Sequence, residues 1–186
     1  LVGSEVCIRD RYKGEMRRLD IEVGREIDEE EYYVTIYPTL KKRAFARLLH
    51  ILERSFKSEN DLIKKLRLSF YPEEAVKEAI EKAKKFGYIN DERYAERYVS
   101  TYKDKYSKLN LKYKLMEKGI NKEIIDNALE EADIDESPMI IKLLEKKHYF
   151  ETDEPEKKQK IIASIMRKGY KYTKIKDVIK DIAADE

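Results

Sequence analysis

The feature that most constrains the fold is an apolar pattern that occurs three times along the chain. The copies are offset by 49 and then 50 residues, without internal gaps across two helical segments and the turn between them. An amphipathic helix matches another helix through its period alone, but it does not also match the turn. A period of this length is typical of an array of helical units. The equivalent positions are Leu62, Leu111 and Ile161; Leu66, Leu115 and Ile165; Tyr71, Ile120 and Tyr170; Val76, Ile125 and Ile175; and Ile80, Leu129 and Ile179.

Each copy carries the start and stop signals of helices. Ser58, Ser107 and Asn121 stand where a side-chain oxygen can cap a helix N-terminus. A unit of this size cannot bury its apolar face alone, so neighbouring units must stack. The sequence therefore predicts an all-α protein of three tandem three-helix repeats in an elongated, curved array. The residues predicted to end helices as left-handed turns are Gly87, Gly119 and Gly169.

The beginning of the chain differs from the repeats. Leu19, Ile21 and Val23 alternate with acidic residues, as in a half-buried strand. The segment 6–12 can pair with this strand, which predicts a small β-hairpin-like N-terminal extension. A helix capped by Asp28 follows, and we expect Pro38 to interrupt it. The predicted division is 1–25 for the extension, 26–90 for the first repeat with its leading helix, 91–136 for the second repeat and 137–186 for the third.

Composition limits the class of protein. Charged residues make up 42% of the chain and apolar residues 41%, which excludes a disordered composition. Cys7 is the only cysteine, so no internal disulfide is possible, and this fits a reducing cytosol. No apolar run approaches membrane-spanning length. We expect a cytoplasmic monomer with no membrane partner.

Local charge is segregated although the totals nearly balance, with 40 basic and 38 acidic residues. The stretches 103–118 and 157–180 are strongly basic and contain tyrosines, a combination that suits phosphate contact and base stacking. The alternative is a solvated helix surface. The candidate DNA-binding lysines are Lys112, Lys114, Lys118, Lys168, Lys171, Lys174 and Lys176, and the interleaved tyrosines are Tyr102, Tyr106, Tyr113, Tyr170 and Tyr172.

Arginines and acidic residues form further candidate contact surfaces. Arg43, Arg47 and Arg54 lie roughly along one side of a helix in the first repeat, and Arg93 and Arg97 do so in the second. Arginine binds carboxylate or phosphate with two hydrogen bonds, although salt bridges within the chain are an equal alternative. The acidic stretches 26–31 and 123–136 suit contact with the basic loops of a protein partner, mimicry of nucleic acid, or ordinary solvation.

The sequence offers no catalytic constellation. It contains neither a phosphate-binding loop nor a dinucleotide-binding fingerprint. Cys7, His50 and His148 are too few and too scattered for a zinc site. We therefore expect a protein without catalytic activity, cofactor or metal.

Three segments resemble a known family. The run 86–95, Phe-Gly-Tyr-Ile-Asn-Asp-Glu-Arg-Tyr-Ala, resembles the GY(L/I)(N/D)D-x-x-(F/Y)-A signature of the RecX regulatory proteins. The run 117–120, Glu-Lys-Gly-Ile, is similar to that family's second signature when taken with Ile124 and Ile125. A third stretch resembles the family through Arg54, Ser58, Leu62, Lys65 and Leu66. The resemblance extends over roughly residues 40 to 182, and Phe70 departs from it by standing where the family usually has a glycine.

The resemblance implies a modulator of the RecA recombinase. RecX proteins are described as lying in the groove of the RecA–DNA filament, where they span neighbouring protomers. They inhibit strand exchange, ATP hydrolysis and coprotease activity, and they have no catalysis of their own. The resemblance also adds Lys65 to the candidate binding residues.

Two other functions fit the residues. One is a helical module that binds single- or double-stranded DNA directly, with a steep dependence on salt. The other is a protein scaffold of the tetratricopeptide kind, which would bind a peptide regardless of DNA. The scaffold ranks last because the 34-residue period and the tryptophan of that repeat are absent.

Overall fold

The structure is a computed structural model that describes residues 19, 21 and 24–185. The predicted hairpin falls almost entirely outside these residues, and none of the described residues lies in a strand. The chain divides into two compact units, residues 1–90 and residues 91–186. The four-segment division proposed above stays a prediction.

Nine α-helices of ten residues or more follow one another in the described part of the chain. A lead-in segment precedes them, with α-helical geometry at Glu29–Glu31 and π-helical geometry at Tyr32–Ile36. The helices of the first unit are α1 (Tyr37–Arg54), α2 (Glu59–Leu68) and α3 (Glu73–Lys85). Those of the second unit are α4 (Asp91–Tyr102), α5 (Lys108–Glu117), α6 (Lys122–Glu131), α7 (Ser137–Lys146), α8 (Pro155–Met166) and α9 (Tyr172–Asp185).

The three-helix repeats predicted from the sequence are confirmed at the level of side chains and backbone. Leu66, Leu115 and Ile165 are all fully buried. Four residues after each of them the backbone turns into the left-handed region, with φ of +60° at Phe70, +77° at Gly119 and +88° at Gly169. In each repeat the first and third helices share the most extensive contact.

Each repeat has its own apolar core. The side chains with no exposed surface include Leu48 and Leu62 in the first repeat, Val99 and Leu111 in the second, and Ile140 in the third. Burial of one such side chain stabilises the folded state by roughly 1.5–3 kcal/mol. These contacts fix the helices whose outer faces carry the candidate binding residues.

Buried serine caps begin the second helix of the first two repeats, as predicted. The hydroxyl oxygens of Ser58 and Ser107 accept hydrogen bonds from the amides of Asp61 (3.2 Å) and Asn110 (3.3 Å). Both serines are fully buried. A buried cap satisfies an amide that would otherwise face apolar surroundings, so these serines also fix where α2 and α5 start.

The prediction that Pro38 interrupts a helix is wrong. The helical backbone continues from Glu29 to Arg54, and the amide of Tyr37 donates to the carbonyl of Tyr32, five residues earlier. This π-helical turn places Pro38 in the first turn of α1, where a residue without an N–H is tolerated.

Candidate nucleic-acid interface

A row of four tyrosines runs along α4 and into the loop that follows it. Tyr94, Tyr98, Tyr102 and Tyr106 are spaced four residues apart, and their ring centroids are separated by 6.1, 4.7 and 5.8 Å. We refer to these four residues as the tyrosine ladder. Tyr94 is buried, whereas the other three are half-buried and keep part of each ring accessible. The ladder therefore offers aromatic surface on a fixed helical support.

Lysines lie over the exposed end of the tyrosine ladder. The Nζ atom of Lys114 is 4.6 Å from the centroid of Tyr106, and that of Lys105 is 5.7 Å from the centroid of Tyr102. Burial and the neighbouring tyrosines raise the pKa of Tyr98, while Lys118 acts in the opposite direction. A cation above an aromatic face is stabilised by about 0.5–1 kcal/mol at such exposed sites. The arrangement holds positive charge beside aromatic rings.

The third repeat combines lysine and tyrosine in the same way. The Nζ atom of Lys176 is 5.2 Å from the centroid of Tyr172, and that of Lys158 is 5.4 Å from the centroid of Tyr149. Tyr172 is exposed, so its ring is available to a ligand. Tyr172 and Lys176 present one aromatic ring and one cation on the same side of α9, whereas Tyr149 is buried in the core of the third repeat and offers no ring to a ligand.

Tyr170 does not belong to this surface, which corrects the prediction from the sequence. Its ring is buried in the core of the third repeat, and its hydroxyl donates to Sδ of Met139 at 3.5 Å. Burial raises the pKa of Tyr170, with a further contribution from Glu136. A ring in this position cannot stack on a base.

Two of the predicted DNA-binding lysines have acidic partners within the chain. The ammonium of Lys112 bonds to the carboxylate of Asp126, and this bond holds the pKa of Asp126 below its usual range. Lys174 lies 3.7 Å from Asp135. A phosphate would have to compete with these carboxylates, so Lys112 and Lys174 are weaker candidates than Lys114 and Lys176.

The turn between α8 and α9 is held against the start of α5. The hydroxyl of Ser107 donates to the carbonyl oxygen of Lys168 at 2.7 Å. Close by, the backbone amide of Lys108 donates to the carboxylate of Glu136 at 2.8 Å. Exposed Lys168 and Lys171 are thereby placed next to the start of α5, which joins the two basic stretches of the sequence.

The remaining predicted residues lie on outer faces of helices. Arg47 and Arg54 on α1 and Lys65 on α2 are exposed in the first unit, while Arg43 is half-buried. On α4 of the second unit, Arg93 and Arg97 are exposed. Lys118 is half-buried at the end of α5. The three glycines predicted to turn the chain, Gly87, Gly119 and Gly169, all have positive φ.

Sequence reasoning missed the continuity of the tyrosine ladder. Tyr102 and Tyr106 were named among the tyrosines of the basic stretches, but Tyr94 and Tyr98 were not joined to them. The regular spacing of four residues, which places side chains on one face of a helix, was the signal that links them.

The described residues include no group of three or more His, Cys, Asp or Glu side chains that could hold a metal ion. None of the helices between residues 24 and 185 combines the length and the apolar character that a membrane crossing requires.

Comparison with known proteins settles the family. "Regulatory protein RecX" of Clostridium perfringens (strain 13 / Type A) is 30% identical over 173 residues, which cover 90% of this chain and 78% of the relative. The chain belongs to the RecX family. A RecX protein of Caldanaerobacter subterraneus subsp. tengcongensis is 38% identical over 113 residues, covering 60% of this chain and 57% of the relative's length.

The RecX family is matched in structure as well. A crystal structure of regulatory protein RecX superposes with a TM-score of 0.72 at 26% identity, covering 91% of this chain and 85% of the other. RecX from Lactobacillus salivarius gives a TM-score of 0.69 at 25% identity, covering 79% and 99%. The model of the second three-helix domain of RecX matches residues 90–129, a range that contains the tyrosine ladder and Lys114.

Proposed function

We propose that this RecX-family chain binds the RecA–DNA filament and inhibits the recombinase in strand exchange, ATP hydrolysis and coprotease activity. The observation that supports the proposal best is the association of lysines with tyrosine rings in the second unit. Lys105 and Lys114 lie over the tyrosine ladder, and Lys176 lies over Tyr172. Its site of action in this proposal is the cytoplasm, and the acting species is a monomer.

The physical basis of the DNA contact is release of counterions from the phosphate backbone. Each lysine that neutralises a phosphate frees condensed cations, which favours binding and makes it sensitive to salt. Tyrosine rings beside these lysines can stack on unpaired bases, which are exposed where a strand is extended. This pairing suits a nucleoprotein filament better than a protein surface alone.

The contact with the recombinase is assigned to arginines and acidic residues. Arginine forms two parallel hydrogen bonds with a carboxylate, so exposed Arg47, Arg54, Arg93 and Arg97 suit acidic positions on the protomers. A chain that bridges adjacent protomers would obstruct the groove and stop the filament from growing. Inhibition through blocked growth requires much less than one regulator per recombinase subunit.

The test is a DNA-dependent ATPase assay of a RecA recombinase with this protein titrated in at two salt concentrations. We expect inhibition well below one regulator per recombinase subunit, and weaker inhibition at the higher salt. Inhibition that needs saturation of the whole filament would contradict blocked growth. A recombinase that keeps its full activity at excess regulator would contradict the function itself.

The second candidate is a module that binds DNA without the recombinase. The observation that favours it is the placement of Lys114 over Tyr106 and of Lys176 over Tyr172. A lysine beside an aromatic ring suits contact with a phosphate and a base without a protein partner. This candidate predicts binding to single- or double-stranded DNA alone, with charge reversal at Lys171, Lys174 and Lys176 abolishing it. If the reversed variant loses DNA binding but still inhibits the recombinase, direct DNA binding is not the function.

A further inference from the structure

Helix α5 is apolar on two opposite faces. Leu111 and Leu115 point into the core and are fully buried. On the other side, Leu109, Tyr113 and Met116 are 45%, 55% and 49% exposed. The steps of four and three residues place these three side chains on one face of the helix. We refer to Leu109, Tyr113 and Met116 as the outer stripe.

The repeat architecture shows that the fold does not require apolar residues at these positions. The offset of 49 residues places Asn60, Lys64 and Arg67 of α2 at the positions of the outer stripe. The offset of 50 residues places Gln159, Ala163 and Met166 of α8 there. The first repeat thus folds with three polar side chains where the second exposes three apolar ones. A contiguous apolar patch with no role in folding marks an interaction surface.

Positive charge surrounds one edge of the outer stripe. Lys112 lies one turn from Met116 and forms a salt bridge with Asp126. The charges of Lys122 and Lys108 also lower the pKa of Asp126. Three cations therefore surround one carboxylate at this edge. Glu136 accepts a hydrogen bond from the backbone amide of Lys108, and Lys108 itself is exposed.

Positive charge also continues past the Leu109 end of the stripe. A Cβ placed at Gly169 would lie 3.4 Å from Cβ of Leu109, so the turn between α8 and α9 adjoins the stripe. That turn carries exposed Lys168 and Lys171. At the opposite end of α5, Met116 is followed by exposed Glu117 and half-buried Lys118, whose charges are opposite. The exposed lysines of the turn therefore lie at the Leu109 end of the stripe.

We propose that the outer stripe binds an apolar segment of a protein partner whose carboxylates lie over Lys168 and Lys171. This inference rests on the proposed function, because the partner is the protein component of the recombinase filament. The partner segment offers two or three apolar side chains that remove Leu109, Tyr113 and Met116 from water. At the end of the partner segment that lies over Leu109, acidic residues of the partner contact Lys168 and Lys171 in the turn between α8 and α9.

The side-chain chemistry favours a protein segment over a nucleic acid. Binding of single strands relies on aromatic platforms, whereas two of the three residues in the stripe are aliphatic. Leu109 and Met116 gain free energy only against apolar surface, about 25 cal/mol for each Å² removed from water. The tyrosine ladder, by contrast, presents rings and lysines together. The two surfaces of the second repeat thus suit different partners.

The experiment compares the triple variant Leu109→Asn, Tyr113→Gln and Met116→Gln with the wild-type chain. These changes remove the apolar surface and leave the net charge unaltered. The matched control is Val34→Gln with Leu68→Asn, two apolar residues of the first unit that are 70% and 77% exposed. Circular dichroism and thermal unfolding show whether each variant is folded. If the triple variant is unfolded, the single variant Met116→Gln takes its place in the comparison.

Two affinities are measured for each protein by fluorescence anisotropy: one for a labelled oligonucleotide alone and one for a RecA filament on the same oligonucleotide. We expect the triple variant to lose about tenfold or more in filament affinity, with DNA affinity unchanged and the control variant equal to wild type. Equal losses in both affinities would make the stripe a nucleic-acid surface and overturn the proposal.

The remaining outcomes separate this inference from the proposed function. If wild type and the triple variant bind the filament equally, the inference fails and the function stands. If wild type does not bind the filament at all, the proposed function fails and the inference with it. A wild-type chain that self-associates through the stripe in sedimentation, while the triple variant stays monomeric, would identify a second copy as the occupant and overturn the inference.

Discussion

The hydroxyl of Ser107 donates a hydrogen bond to the carbonyl oxygen of Lys168 across 61 residues of sequence. The hydroxyl oxygen of Ser107 also accepts a hydrogen bond from the backbone amide of Asn110, so one side chain both caps α5 and binds the third repeat. Gly169 follows Lys168 with φ of +88°, and a Cβ there would lie 2.5 Å from the Ser107 hydroxyl. The contact between the second and third repeats therefore needs a serine on one side and a glycine on the other.

Gly169→Ala should lower the free energy of unfolding of the second unit more than Gly87→Ala lowers that of the first unit. Both glycines have positive φ, but a Cβ at Gly87 meets nothing within 4 Å. We expect a loss of about 1 kcal/mol for Gly87→Ala, from backbone strain alone. For Gly169→Ala we expect about 2–4 kcal/mol, because the clash adds to the strain. Urea unfolding followed by circular dichroism measures both values.

A double-mutant cycle isolates the clash from the strain. In the Ser107→Ala background the nearest atoms to a Cβ at Gly169 become Cβ of Leu109 at 3.4 Å and the backbone N of Asn110 at 3.6 Å, which are ordinary contacts. Gly169→Ala should therefore cost less in that background, with a coupling of about 1 kcal/mol or more. Strictly additive losses would show that the serine and the glycine do not interact.

Phe70→Gly should stabilise the protein. Phe70 has φ of +60°, a conformation that costs a residue with a Cβ about 1–2 kcal/mol, and its side chain is 53% exposed. Glycine removes this strain, but its greater freedom in the unfolded chain costs roughly 0.5–1 kcal/mol of stability. We therefore expect the free energy of unfolding to rise by about 0.5–1 kcal/mol. Thermal unfolding measures the change.

The matched control is Phe86→Gly. Phe86 is 58% exposed and also ends a helix, but its φ is −85°. Glycine relieves no strain there, so this variant should lose about 0.5–1 kcal/mol. Stabilisation by both substitutions would point to relief of exposed apolar surface rather than of backbone strain.

The repeats could be predicted because they depend on local patterns and on period. One apolar spacing occurs three times in the chain, and it predicts the buried positions Leu66, Leu115 and Ile165 and the turns that follow them. The continuous helical path of the chain around Pro38 could not be predicted, because residues next to Pro38 make tertiary contacts that the local sequence does not show. The hydroxyl of Tyr37 donates to Glu78 of α3 at 2.7 Å, a contact between residues 41 positions apart.

The basic stretches of the candidate site could be located from the sequence, but the environment of each residue could not. Lys112 and Lys174 look like their neighbours in the sequence, yet each meets an aspartate on another element. Tyr170 follows a turn glycine and is buried because its repeat folds over it. Whether a lysine reaches an aspartate on another element depends on how its helix is rotated about its axis. The number of charges in a stretch does not give that rotation. The RecA-binding role of the individual residues stays a prediction.

Asp135→Asn should weaken the protein at neutral pH but not in acid. Hydrogen bonds from the amide and hydroxyl of Ser137, 3.0 and 2.7 Å long, hold the pKa of Asp135 below its usual range, with a smaller effect of Lys174. A lowered pKa stabilises the folded state above the unfolded pKa of about 4, and this stability is lost as the pH falls through the folded pKa. We expect a difference of about 0.5–1 kcal/mol at pH 7, since the carboxylate is largely exposed.

Urea titrations at several pH values test this expectation. The midpoints of wild type and Asp135→Asn should converge as the pH falls below about 4. Lys174→Gln should reproduce only part of the loss, because the bonds from Ser137 remain. A difference between wild type and Asp135→Asn that is the same at pH 7 and in acid would show that charge at this position does not matter.

Lys105→Gln with Lys114→Gln should reduce the salt dependence of DNA binding. Both lysines lie over the tyrosine ladder, and each is expected to contact one phosphate. Loss of two such contacts reduces the magnitude of the slope of log K against log salt by about 1.4 on single-stranded DNA. The matched control is Lys41→Gln with Lys84→Gln, which removes the same charge from lysines that form ion pairs with Glu78 and Glu59 in the first unit. Anisotropy titrations at four salt concentrations should give the control the wild-type slope, and equal reductions in both variants would assign the effect to net charge instead of to the ladder.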